Sequence, residues 1–158
     1  PENSLSLDPA LVRAVAGQIE ALRLIGEDVE IRGPRFVPLT IEVRICLQPF
    51  AWPEDIRAEL EQAFSDGWTA GGEQGFFHPD LWTFGQSLHR SQIAGRIHRI
   101  AGVEHIVAIE MRRYDAVTAG TPGSDELEMG FDEILMVMND PDHMERGSIS
   151  FDLRGGRQ

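Results

Sequence analysis

The feature that most limits how this chain can fold is the run from Val37 to Leu47. Within it Val37, Leu39, Ile41, Val43, Ile45 and Leu47 alternate with polar or small residues. Successive side chains on a strand point to opposite faces, so this run carries one apolar face and one wettable face. Such a strand must have its apolar face covered, and amphipathic helices are the usual cover. The chain supplies three. Asp8 and Pro9 form a helix start, with Val12, Val15, Ala16, Ile19 and Leu22 at helical spacing until Gly26. Pro53, with Glu54 and Asp55 in the first turn, opens a second helix whose apolar face is Ile56, Leu60, Ala63 and Phe64, closed by Gly67. Ser91 caps a third, in which Ile93, Ile97 and Ile100 line one side until Gly102.

Further strands are expected at Val29 to Ile31, from Val103 through Met111, at Ile134 to Met138 and at Ile149 to Leu153. Three helices and about five strands predict the α+β class. The expected architecture is a two-layer sandwich, a mainly antiparallel or mixed sheet with helices on one face, for which a ferredoxin-like core is a candidate. A chain of 158 residues, 42% of them hydrophobic, suffices for one compact domain over 1–158. Within it, 1–36 is a helix plus strand leading in, 71–88 an ordered aromatic loop, and 115–130 a flexible connector.

A net charge of −12 and 14 Arg without a Lys argue against nucleic acid as a partner, because binding phosphates needs a surplus of cations at the contact. No run approaches the roughly 20 apolar residues that span a bilayer, so no membrane is expected. Cys46 alone cannot form an internal disulfide, which fits a cytoplasmic origin. Charge is uneven. Asp125 to Arg146 holds eight carboxylates and one Arg, whereas Arg90 to Arg113 holds five Arg and two Glu. These are solvated faces or complementary subunit contacts.

The candidates for chemistry are few. His78 and Asp80 have a spacing that could serve a metal or an acid/base pair, but nothing local supplies further ligands, and a turn built on His78, Pro79 and Asp80 fits better. Gly71, Gly72 and Gly75 lack the flanking strand, helix start and Lys of a phosphate loop. Cys46 lies mid-strand, and Glu126, Glu128, Asp132 and Glu133 lack a calcium-loop pattern and read as surface carboxylates. The expectation is no catalytic residue, no metal and no cofactor. Phe76, Phe77, Trp82 and Phe84 have two readings, core plugs that anchor the loop or a contact patch for another subunit.

Two long stretches carry a family resemblance: GFFHPDLWTFGQ at Gly75 to Gln86, and the ending from Glu133 to Gly147 that reads E-I-x4-N-D-P-x5-G. With the helix and strand between them, they resemble baseplate J-like assembly proteins of contractile phage tails and related injection systems. The similarity covers roughly Val37 to Arg157 in the order of that family's C-terminal portion, so a C-terminal part of a longer chain is expected. The resemblance implies a non-enzymatic wedge subunit. Its partners would be other wedge and hub-proximal subunits, with self-association in the full-length protein. It would be cytoplasmic during assembly and then part of the baseplate. It also implies that Asn139, Asp140 and Pro141 turn the chain between the last two strands. Arg112 and Arg113, with the aromatic loop, are the candidate interface. The alternative is a small-ligand-binding regulatory domain with a ferredoxin-like core, and a further one a metal-assisted hydrolase using His78 and Asp80.

Overall fold

The computed structural model describes residues 8–22, 29–114 and 124–157, and the chain divides into two compact units, 1–35 and 36–158. The first unit holds helix α1, Pro9–Leu22. Asp8 caps it as its sequence predicts, its carboxylate accepting from the Ala10 amide at 2.8 Å and its carbonyl from Val12 at 3.0 Å. The helix buries none of its residues. The strand expected at Val29 to Ile31 does not form, and residues 29–34 carry no regular element. Two apolar positions ahead of Gly33 and Pro34 are too short a ladder to hold a partner. The helix end expected at Gly26 lies outside the described residues.

The second unit is organised around β1, Arg35–Leu47, whose burial alternates from Val37 onward. β2 is Leu88–His89, β3 Val103–Arg113, β4 Glu126–Leu127, β5 Glu133–Met136 and β6 Ser148–Gly155. β1 pairs antiparallel with β3, Val43 opposite Ile109, and parallel with β6, Val43 opposite Phe151. β5 is also bonded to β1, and β2 and β4 form a separate antiparallel pair. Helix α2, Pro53–Ala63, lies against β6, and α3, Arg90–Ile97, lies against β3. Ile56, Leu60 and Phe64 from the α2 region and Ile93 and Ile97 from α3 join Leu39, Ile41, Val43 and Ile45 in one core. Burying each such side chain is worth about 1.5–3 kcal/mol relative to leaving it exposed.

The opposite face of the sheet is polar. Arg44 bonds Glu110 at 2.9 Å and Arg112 bonds Glu42 at 2.7 Å, all four roughly half exposed. The α+β class, the mixed sheet and the helices on its inner face are therefore as the sequence predicts. The connectivity, however, is not that of a ferredoxin-like core. Both α2 and α3 fall within the single connection between the neighbouring antiparallel strands β1 and β3, whereas a ferredoxin-like chain spends one helix on each of two βαβ units.

Three boundaries also differ. α2 stops at Ala63, before Gly67, because the chain turns at Phe64 to plug the core. α3 is capped by His89 instead of Ser91, in a reciprocal box in which the Gln92 side chain accepts from the His89 amide at 2.9 Å. It ends at Ile97, short of Gly102. Of the connector expected at 115–130, residues 115–123 lie outside the described residues, and Glu126–Leu127 is strand β4.

Candidate functional site

The aromatic loop is fastened to the end of α2 through its backbone. Phe76 donates to the Ala63 carbonyl at 2.8 Å and Phe77 to the Ser65 carbonyl at 3.1 Å. This approach needs glycine at 75, because a Cβ there would lie 2.2 Å from the Ser65 oxygen. Once fastened, the loop sends its rings inward. Phe64 meets Phe76, Phe77 and Phe151 with centroids 5.2, 6.2 and 5.6 Å away, and the Trp82 indole donates to the Phe76 carbonyl at 2.9 Å. Phe77 and Trp82 are buried and Phe76 partly so. These three are core plugs, which corrects their candidacy as contact residues. Phe84 alone of the four remains outside, 53% exposed.

His78 and Asp80 have a structural task. The His78 Nδ1 accepts from the Asp80 amide at 3.3 Å and so caps the short 3-10 turn Pro79–Leu81, while the ring packs edgewise against Trp68 at 5.3 Å. Among the described residues, no three of His, Cys, Asp and Glu come together where they could hold a metal ion.

Phe84 leads into a second anchored turn. Gly85, at φ +67°, donates to the Glu133 carbonyl at 3.0 Å, and its α-carbon faces Gly130 and Phe131. Glu133 is buried, against the expectation of a surface carboxylate. It receives both arms of the Arg113 guanidinium, at 3.0 and 2.7 Å, and the Gly130 amide at 2.8 Å. Arg113 also donates to the Glu128 carbonyl at 2.9 Å. A bidentate charged pair of this kind fixes geometry as well as adding energy. Arg113 is therefore a clamp for the 128–133 turn, not a free contact residue, and Arg112 belongs to the polar face through Glu42. On this turn Met129 points inward and Phe131 outward, 88% exposed. The sequence reading passed over Phe131, whose one signal is an aromatic in a run of carboxylates.

The remaining motif residues are turn makers. Asn139 adopts φ +51°, and its side-chain oxygen accepts from the Ile149 amide at 3.2 Å, while Asp140 accepts from the Asp142 amide at 3.0 Å. Pro141 follows, and Gly147, at φ +87°, closes the turn where a Cβ would lie 2.4 Å from the Met136 carbonyl. Asn139, Asp140 and Pro141 thus sit between the last two strands, β5 and β6.

An open cleft of about 380 Å³ lies between α2, the 69–73 turn and the end of α3, and its lining includes Glu59, Glu73, Arg96 and Arg99. No described helix is long and apolar enough to cross a membrane. No protein-family model matches the chain, and no curated protein matches it either.

Proposed function

We propose that this chain is a structural subunit of the baseplate of a contractile tail or phage-tail-like injection system, the C-terminal part of a J-like wedge protein. It works by protein contacts and without catalysis. The observation that supports this best is the pair of long stretches at Gly75 to Gln86 and Glu133 to Gly147, which resemble that family in order and spacing. Their distinctive positions also share one kind of task. Gly75, His78, Gly85, Glu133, Asn139, Asp140 and Gly147 all shape turns or hold them in place. Residues spent on holding surface turns suit an assembly part better than an enzyme. On this reading the protein is cytoplasmic during assembly and then joins the particle, and its partners are other wedge and hub-proximal subunits, including further copies of itself in the full-length protein.

A small-ligand-binding regulatory domain draws less support. Ligand sites are mostly apolar and concave, whereas the cleft beside α3 is open and lined by four charged side chains. The test is genetic. Deleting the gene in its host should leave tail sheaths and tubes without baseplates in negative-stain images, and a plasmid copy should restore them. Intact particles in the deletion strain would refute the proposal.

A further inference from the structure

The assembly reading leaves open which surface meets a partner, and the inference below rests on that reading. Phe84 and Phe131 stand on touching turns, 53% and 88% exposed, and neither ring stacks on another aromatic of the described residues. Exposed aromatics on loose loops are common and mean little. These two are held outward by the Gly85 to Glu133 backbone bond and by the Arg113–Glu133 clamp beneath them. The chain around Phe131 is acidic. Asp125, Glu126, Glu128 and Asp132 lie within six residues of it; Arg90 pairs with Asp125 at 3.4 Å and Arg113 with Glu133 at 2.7 Å, so carboxylates outnumber guanidinium groups around this turn. Glu128 offers its carboxylate to solvent, only its backbone carbonyl being used by Arg113.

The geometry points to a preformed docking knob at Phe84 and Phe131 that takes a different protein subunit, one presenting an apolar socket rimmed by Arg or Lys. Buried aromatic anchors carry most of the affinity of such contacts, and rim charges set encounter rate and salt dependence. A second copy of this chain is the weaker occupant, because its own knob would bring carboxylates against carboxylates, and the Arg-lined cleft beside α3 also carries Glu59 and Glu73.

The test replaces Phe131 by benzoylphenylalanine in the full-length protein expressed in its host, followed by irradiation and mass spectrometry. The expected result is a cross-link to one peptide of another protein that carries apolar residues flanked by cations. With that protein purified, Phe131→Ser should weaken binding roughly 30-fold or more, as at a hot spot. Glu128→Gln should flatten the loss of affinity between about 0.1 and about 1 M salt, where the screening length drops from about 10 to about 3 Å. A cross-link to a second copy, to a surface without cations, or none at all overturns the docking knob. If the captured protein belongs to no tail-like particle, the knob stands and the assembly reading falls. If particles form normally with Phe84→Ser and Phe131→Ser together, the knob falls and the assembly reading stands.

Discussion

Phe76, Phe77 and Trp82 lie within eight residues of Phe84, yet the first three plug the core and the last stands in solvent. The difference comes from the backbone. At Gly75 the chain comes within reach of Ser65 and its next two amides are bonded to the end of α2, so the following rings must enter the space over Phe64. At Gly85 the chain is bonded instead to Glu133, on the turn that carries Phe131, and the rings there face outward. Two parts of one aromatic loop do opposite work because they are tied to different neighbours.

The comparison can be broken from its inner half first. Phe77→Ala should cost about 3–5 kcal/mol in urea unfolding, the usual loss when a buried aromatic leaves a cavity. A loss under about 1 kcal/mol would mean that the loop does not anchor the core. Arg113→Ala comes next, because it strands the buried Glu133 carboxylate, and about 2 kcal/mol should be lost. The double variant Arg113→Leu with Glu133→Leu should recover part of that loss, since removing both charges is gentler than removing one. Arg112→Ala, which opens only the half-exposed pair with Glu42, should change stability by less than about 1 kcal/mol. A larger loss there would show the polar face to be more than a solvated surface.

The outer half should respond least. Phe131→Ser should leave stability within about 0.5 kcal/mol, as surface substitutions do, so any loss of partner binding would not come from unfolding. The smallest effect concerns Glu145, whose carboxyl is held below its ordinary 4.5 by its own backbone amide first and by the His143 side chain second. A lowered folded value means stability that is present above the unfolded value and fades as pH falls through the folded one. His143→Ala should move the Glu145 carboxyl resonance back toward 4.5 in an NMR titration, and an unmoved midpoint would remove His143 as a cause.

The sequence disclosed the parts of this fold that depend on short-range pattern. The alternation from Val37 to Leu47 and the helical spacing of Ile56 with Leu60 and of Ile93 with Ile97 each declare a buried face, and all of these residues are in the core. The Asp8 cap was legible for the same local reason. What depends on distant partners was not. Glu133 looks like one more surface carboxylate, because the guanidinium that draws it inside is 20 positions away. His89 displaced Ser91 as the cap of α3 because Gln92 completes a reciprocal box with it. Val29 and Ile31 alternate but form no strand. The proposed contact surface was half legible. Phe84 reads in the sequence like three neighbours that pack into or against the core, and Phe131 is hidden in an acidic run whose exposure is a matter of tertiary placement.

The most direct test of the assembly role is to tag the full-length protein in its native host, purify it under gentle conditions and identify by mass spectrometry what comes with it. Recovery of sheath, hub or other wedge components in constant proportion is the predicted result. Recovery of metabolic enzymes, or of the tagged chain alone from cells that are producing particles, would contradict it.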